Sequence, residues 1–197
     1  DKVTSLKRWL VNFSNEMDID NKTHLSAQYY RVSDSNYFKE IDRTNTSAER
    51  LKSFLKLTYD DDENSLSASA LTEDEQVVNA GVPEYYRALE VSISKTLNAN
   101  TKMPISLSLV STKFTHDTVT KESGLRTHGN LGISRELAIN YPKLTPKASV
   151  AITNYSLKNN PNINRTIFGT GLDVDFTINN PSSIFGYKVN HRITPLI

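Results

Sequence analysis

Two histidines, an aspartate and a serine lie close together near the middle of the chain and could carry out acid–base chemistry. His116 and Asp117 are adjacent, and Ser123 and His128 follow in the same loop-rich region. A serine nucleophile needs a histidine base that a carboxylate orients, and geometry rather than chain order identifies such a triad. The region lacks the Gly-x-Ser-x-Gly elbow of many hydrolases. A hydrolase with a site in residues 115–135 is therefore an alternative prediction, and exposed loop residues explain the cluster better.

An acidic run resembles a calcium-binding loop in part. Asp60, Asp62 and Asn64 match the first, third and fifth positions of an EF-hand loop. The sixth position needs glycine for its turn and the twelfth needs a bidentate carboxylate, but Ser65 and Leu71 stand there. The sequence therefore predicts an exposed acidic loop rather than a calcium site.

A second acidic pair, Asp173 and Asp175, lies in a run of alternating apolar and polar residues. Residues two apart on a strand share a face, so the pair could hold a cation beside a nucleotide. The polar side of an amphipathic strand explains it better. The chain contains no cysteine, which excludes disulfides and cysteine-ligated zinc. We predict no metal site, no catalytic residues and no cofactor.

Tyrosines and the C-terminal residues form the predicted binding or assembly surface. Four of the nine tyrosines form two adjacent pairs, Tyr29-Tyr30 and Tyr85-Tyr86. On a strand, one ring of each pair must face outward. Exposed tyrosines provide apolar contact area with little loss of rotamer freedom. The last residues are apolar and uncharged, so we expect a neighbouring molecule to bury them. The predicted surface comprises Tyr29, Tyr30, Tyr85, Tyr86, Ile193, Leu196 and Ile197.

The elements that would position these residues change character near residue 88. Before it, apolar residues recur at helical spacing, which indicates amphipathic helices. Two capping-box patterns, Thr46 with Glu49 and Thr72 with Glu75, mark helix starts. Together these patterns predict helices over residues 6–17, 46–58 and 73–80.

After residue 88 apolar and polar residues alternate with a period of two, which indicates strands. The alternating segments are 89–93, 105–109, 150–152, 172–178 and 187–191. They predict an antiparallel sheet that is covered on one side and carries Ser, Thr, Asn and Asp on the other. The predicted fold class is α+β, with N-terminal helices packed on one face of a C-terminal antiparallel β-sheet. Residues 1–197 would form a single α+β domain, mainly helical over 1–87 and mainly β over 88–197.

Charge and composition limit the possible partners. The formal net charge is +1, so the overall basic field typical of nucleic-acid binding is missing. Residues 1–82 carry a net charge of −5 and residues 83–197 a net charge of +6, which favours pairing between the two parts. No apolar stretch is long enough to span a membrane as a helix. Asp1 is not an initiator methionine, so we expect a processed or trimmed chain.

These observations favour a non-enzymatic structural or interaction protein that self-associates as a homo-oligomer. The concrete version is a coat or assembly subunit of a virus or an extracellular filament, which suggests a virion or extracellular location. An unpaired sheet edge would supply backbone donors and acceptors for such assembly. Besides the hydrolase, a second alternative is a small-ligand or glycan-binding module that uses the polar face of the sheet. The motifs identify no family across the whole chain.

Overall fold

The computed structural model describes residues 7–41, 47–79, 81–118, 120–137, 143–175, 178–184 and 187–193, with the backbone alone from residue 178 onward. Strands dominate these residues. Nine of them form one sheet: β1 (Leu10–Asp18), β2 (Thr23–Val32), β3 (Arg50–Asp61), β4 (Leu66–Val77), β5 (Tyr86–Leu97), β6 (Ile105–Thr115), β7 (Gly124–Ser134), β8 (Lys143–Leu157) and β9 (Ile163–Asp175). β10 (Ile178–Ile184) pairs with β11 (Tyr187–Ile193), and α1 (Tyr37–Glu40) is one helical turn.

The sheet is a meander in which each strand pairs antiparallel with the strand before it and the strand after it in the chain. The turns from β1 to β2 and from β3 to β4 are short, with four residues each. The longest connection joins β2 to β3 at the other end of the sheet and contains α1. Nowhere in the described ranges does a helix reach the length and apolarity needed to traverse a bilayer.

The predicted α+β class is wrong, because no N-terminal helices pack on the sheet in the described residues. The segments predicted as helices over 6–17 and 46–58 contain β1 and β3 instead. Leu55, Leu57 and Tyr59 share one face of β3 with a strand period of two. Phe54 points to the other face, and its place beside Leu55 and after Leu51 imitated helical spacing. Pairing with strands on both sides decided between the two patterns.

The helix predicted over 73–80 is also wrong, since β4 runs through Val77. The acidic residues Glu73, Asp74 and Glu75 are typical of the first turn of a helix, which explains the prediction. In the sheet, Glu73 accepts hydrogen bonds from Arg87 on β5, and Asp74 forms an ion pair with Arg31 on β2. Cross-strand charge pairs of this kind stabilise a strand whose own residues have low β-propensity.

Where the structure describes it, the two-residue alternation after residue 88 falls on strands, with 89–93 in β5, 105–109 in β6, 150–152 in β8, 172–175 in β9 and 187–191 in the backbone of β11. Residues 176 and 177 of the predicted segment 172–178 lie outside the described residues. The sheet nevertheless differs from the prediction in what covers it. We expected helices on its apolar side, and among the described residues nothing packs there. The region between residues 115 and 147, which showed no clear pattern, contains β7 and the start of β8.

A small apolar core closes the end of the sheet beside α1. Its buried members are Val32, Phe38, Leu51 and Val78, and Tyr30, Tyr37 and Ala48 pack against them. Phe38 makes edge-to-face contacts with the rings of Tyr30 and Tyr37. The Phe38–Tyr30 contact holds α1 against β2, and packing with Leu51 and Val78 holds it against β3 and the end of β4.

Candidate functional site

One side of the nine-stranded sheet is apolar and exposed. On β5, Leu89, Val91 and Ile93 point to this side, and each is about half exposed. Residues directly opposite each other on paired strands share a face, so the register carries this surface across the sheet. We call it the apolar face. Its exposed members are Val11, Phe13, Met17, Tyr29, Leu55, Leu57, Leu89, Val91, Ile93, Leu107, Leu109, Leu125, Leu131, Ile133, Ile152, Phe168 and Leu172.

The opposite side, which we call the polar face, carries hydroxyl, amide and charged side chains. Ser67 and Ser94 face each other across β4 and β5 with 2.7 Å between their hydroxyl oxygens, and Ser69 and Ser92 do the same. Along β5 the polar-face residues are half-buried while the apolar-face residues are exposed. The difference indicates that the sheet curves toward its polar face.

A cleft of about 400 Å³ lies in the polar face between β6, β7 and β8. Ser106, Asn130, Lys147 and Ser149 line it, so its polar groups are mostly uncharged hydroxyls and an amide. Gly132 forms part of its floor. A Cβ at Gly132 would lie 2.6 Å from the Ser106 hydroxyl oxygen, so glycine is what keeps this cleft open.

Among the described residues, the arginines up to the end of β5 are neutralised by carboxylates. Arg87 is the fullest example, with its guanidinium bonded to Glu73 at 2.6 Å and to Glu90 at 2.9 Å. Glu90 also accepts a hydrogen bond from Thr112 on β6. The pairs are Arg8 with Asp34 and Glu40, Arg31 with Asp74, Arg50 with Glu75 and Glu84, and Arg87 with Glu73 and Glu90.

Two arginines on β7 and β9 differ from these. Neither Arg126 nor Arg165 forms an ion pair with a carboxylate of the described residues. The register places both on the polar face, where Arg126 lies opposite Tyr155 and Arg165 lies opposite Thr153. The Arg126 guanidinium lies over the Tyr155 ring at 6.0 Å from its centroid. Its Nε is buried and has no hydrogen-bond partner among the described residues.

The residues predicted as a possible hydrolase site do not form a charge relay through the contacts that the structure shows. The His116 ring nitrogen Nδ1 accepts a hydrogen bond from the Thr118 backbone N–H. The backbone N–H of His116 donates to the Ser123 hydroxyl oxygen at 3.4 Å. Asp117 accepts a hydrogen bond from the Tyr86 hydroxyl. His128 lies on β7, where its Nδ1 is 2.8 Å from the Thr153 hydroxyl.

The predicted binding surface is divided between different parts of the fold. Tyr29 lies exposed on the apolar face, whereas Tyr30 packs against the core beside Phe38. Tyr85 is exposed and makes edge-to-face contacts with Phe114 and His116. Tyr86 begins β5. The backbone of Ile193 ends β11, and Leu196 and Ile197 lie outside the described residues.

The acidic run from Asp60 to Asn64, predicted as an exposed loop, lies at a tight hairpin: Asp60 and Asp61 end β3, and residues 62–65 form the turn. Ser65 adopts a left-handed backbone with φ of 48°, and β4 begins at the next residue. The side chain of Asp61 is buried. It accepts hydrogen bonds from Asn64 Nδ2 at 2.9 Å and Lys22 Nζ at 3.0 Å, which hold the pKa of the Asp61 carboxyl well below its usual range.

These contacts make Asp61 a link between two turns. The hydrogen bond to Asp61 raises the pKa of Lys22, which lies in the turn between β1 and β2. Within the described residues, no group of three acidic or histidine side chains is arranged to hold a metal ion. Of the predicted acidic pair on β9, Asp173 forms an ion pair with Lys147 on β8.

The sequence reasoning missed the apolar face as a functional surface and missed Arg126 and Arg165 altogether. The alternation in β5 to β9 was visible, but it was assigned to a face that helices would cover. Long strands that alternate strictly, in a region without helical segments to cover them, were the available signal. The two arginines gave no local signal, because they are distant in sequence and meet on one face only through the register of β8.

A model of the family LptD, described as LPS transport system D, matches residues 7–197. The match covers nearly the whole chain, and the chain belongs to this family. No curated protein matches the sequence.

Family membership overturns the predicted coat or filament subunit and the self-assembly that went with it, because the family is described by transport of LPS. A glycan-binding module and a hydrolase are not what this description indicates either. A transport system agrees with the expectation that the chain is not an enzyme. The expected absence of a helical membrane span agrees with the described residues. The predicted homo-oligomer remains a prediction.

Proposed function

We propose, from its membership of the LPS transport system D family, that this chain takes part without enzymatic chemistry in moving LPS at the outer membrane. The observation that supports the proposal is the apolar face. Its large exposed side chains lie on eight of the nine strands of the sheet, and the half-buried Ala68 and Ala70 continue the face on β4. In water each large aliphatic side chain left exposed forgoes about 1.5–3 kcal/mol of burial free energy. Continuous exposed apolar surface of this extent is typical of a membrane or partner contact.

Acyl chains are the contact that best fits this face. It is built from Leu, Val, Ile and Phe side chains and carries few charges between Leu89 and Leu172. β6, β7 and β8 pair on both sides along most of their length, so most of their backbone groups are satisfied without water. The polar face, on the other side of the sheet, carries hydroxyl, amide and charged side chains that suit sugars and phosphates. LPS combines acyl chains with sugars and phosphates, so both faces match its chemistry.

The predicted tyrosine surface enters this proposal through its exposed members. Tyr29 adds an aromatic ring to the apolar face beside Phe13 on β1. Tyr85 is exposed and lies just before the start of β5, at the end of the sheet. Amphipathic rings at such positions suit the boundary between lipid and water. We propose that these two residues contact lipid and that Tyr30 and Tyr86 hold the fold.

The transport role is tested in the bacterium that makes the protein. When the chromosomal copy is depleted, we expect LPS on the cell surface to fall, as measured with an LPS-specific surface label. The plasmid-borne full-length protein should restore it. Unchanged surface LPS after depletion would refute the proposed role.

The lipid-facing assignment is tested with two neighbouring substitutions on β5. Ile93→Arg puts a charge on the apolar face, where contact with lipid makes it cost about 2–4 kcal/mol. Ser94→Arg puts the same charge on the polar face. We expect the first variant to lose most membrane-inserted protein and surface LPS and the second to keep them. Equal behaviour of the two variants would contradict the assignment.

A further inference from the structure

We propose that Arg126 and Arg165 form an anion-binding site on the polar face, suited to a phosphate group. The identity of the ligand rests on the proposed transport function, since LPS carries phosphates on its lipid portion. The existence of the site rests on the arrangement of the two arginines alone.

Uncompensated charge is the first part of the argument. Arginines of the first five strands have carboxylate partners, whereas Arg126 and Arg165 have none among the described residues. Residues 137–197 contain just two carboxylate side chains, Asp173 and Asp175. On β9, Asp173 is eight residues beyond Arg165, which is roughly 26 Å along a strand. Asp173 is also already paired with Lys147.

The surroundings of Arg126 are the second part. Its neighbours across the strands are Thr112 and Tyr155, neither of which neutralises it. The next carboxylate along this row is Glu90, which already accepts from Arg87 and Thr112. A buried N–H without an acceptor costs free energy, and the buried Nε of Arg126 is such a group. The fold therefore leaves part of the hydrogen-bonding capacity of the Arg126 guanidinium unused.

Geometry brings the second arginine within reach. Arg165 on β9 lies directly opposite Thr153 on β8, and Thr153 lies directly opposite His128 on β7. The backbones of Arg165 and His128 are therefore two strand spacings apart, which is roughly 10 Å. Arg126 lies two residues before His128 on β7. Two long arginine side chains can reach toward each other over β8, where Thr153 and Tyr155 lie between their strands in the register. The Thr153 hydroxyl is bonded to His128 Nδ1.

The chemistry of these groups favours phosphate. A guanidinium presents its N–H donors in a planar fork that binds two phosphate oxygens at once. Stacking on the Tyr155 ring orients the Arg126 fork and leaves its edge free for an anion. Lipid phosphate and free phosphate share this chemistry, so an experiment must distinguish them.

Calorimetric titration of the full-length protein in a non-ionic detergent provides the test. Three probes are compared: the phosphorylated lipid portion of LPS, the same lipid after enzymatic removal of its phosphates, and inorganic phosphate. We expect the phosphorylated lipid to bind the wild-type protein at least tenfold more tightly than the dephosphorylated lipid. Arg126→Gln and Arg165→Gln should each remove about tenfold of that affinity, the loss expected for one charge-assisted contact.

Arg135→Gln is the matched control, because Arg135 is exposed, lies just beyond the other end of β7 and also lacks a carboxylate partner among the described residues. It should change affinity less than twofold, and Arg126→Lys should restore part of the loss. Circular dichroism checks that each variant keeps its sheet. The proposal is overturned if phosphate removal does not weaken binding, or if Arg135→Gln matches Arg126→Gln.

The inorganic phosphate probe shows whether the site takes free phosphate or lipid phosphate. It also separates failure of the anion site from failure of the transport role. Competition by millimolar phosphate supports a site for phosphate from either source. Lipid binding that depends on Arg126 without such competition supports a site for the lipid headgroup. If phosphate binds through Arg126 and Arg165 but no LPS-derived lipid binds, the anion site stands and the transport role fails. If LPS reaches the surface normally in the double Arg→Gln variant and titration shows no loss, the site fails and the transport role stands.

Discussion

The part of the sheet from β2 to β4 and the part from β5 to β9 are stabilised in different ways. Every large apolar side chain that is buried among the described residues lies between Val32 and Val78. In β5 to β9 the buried side chains are Thr112 and Thr153, and none of the leucines, valines and isoleucines is buried, while most are exposed. The first part resembles an ordinary protein interior. In the second, backbone pairing holds the strands and nothing among the described residues covers the apolar side chains, which agrees with the proposed contact with lipid.

Phe38→Ala should have the largest effect on stability. Phe38 is fully buried against Tyr30 and Tyr37, and truncating such a residue costs about 3–5 kcal/mol. The measurement is chemical unfolding in a non-ionic detergent, with hydrogen exchange to locate the loss in β2 to β4. Val91→Ala on the apolar face is the comparison and should cost about 1 kcal/mol, because little packing surrounds Val91. Equal losses would remove the distinction between the two parts.

Gly81→Ala should have the next largest effect. A Cβ at Gly81 would lie 2.4 Å from the backbone oxygen of Glu49, which cannot move without shifting the connection beside the core. Overpacking of this kind costs about 1–3 kcal/mol, measured by the same unfolding assay. At Gly171 on β9 a Cβ meets nothing within 4 Å, so Gly171→Ala should be neutral or stabilise by about 0.5 kcal/mol. A harmless Gly81→Ala would show that the connection is loosely packed.

Asp61→Asn should have the smallest effect, and it should depend on pH. The pKa of Asp61 is depressed, so its carboxylate stabilises the fold at pH values above the unfolded value of about 3.9. That contribution is lost as the pH falls below this value toward the folded pKa. The melting temperature of the wild type should therefore exceed that of Asp61→Asn at pH 7, and the difference between the two should be smaller at pH 3. Asp62→Asn, with an exposed side chain, is the control, and an identical pH response in both variants would contradict the assignment.

The sequence alone was sufficient to predict a strand where the alternation within that strand determines its conformation. The alternation of Val91 with Ser92 and of Leu107 with Ser108 predicted β5 and β6 and correctly separated their two faces. It was insufficient where two patterns coexist. In β3, Phe54 next to Leu55 fits a helix, and only pairing with β2 and β4 selects the strand. In β4, Glu73 and Asp74 resemble the first turn of a helix until Arg87 and Arg31 are placed beside them.

The candidate site was harder to predict than the strands. That the apolar face is uncovered depends on what lies beyond each strand, and a periodic pattern reads the same whether helices or lipid contact it. The distinction between paired and unpaired arginines depends on the register of neighbouring strands. Arg87 and Glu73 are close because β4 pairs with β5, whereas Arg165 has only uncharged residues of β8 across from it.

The meander topology determines how such a sheet can change in size. Because hydrogen-bonded neighbours are also neighbours in sequence, a hairpin can be added or lost at a turn while the remaining strands keep their partners. A single inserted residue inside a strand does the opposite, since it exchanges the side chains of the two faces from that point onward. Evolution of this architecture should therefore proceed in whole hairpins, with length variation confined to the connections.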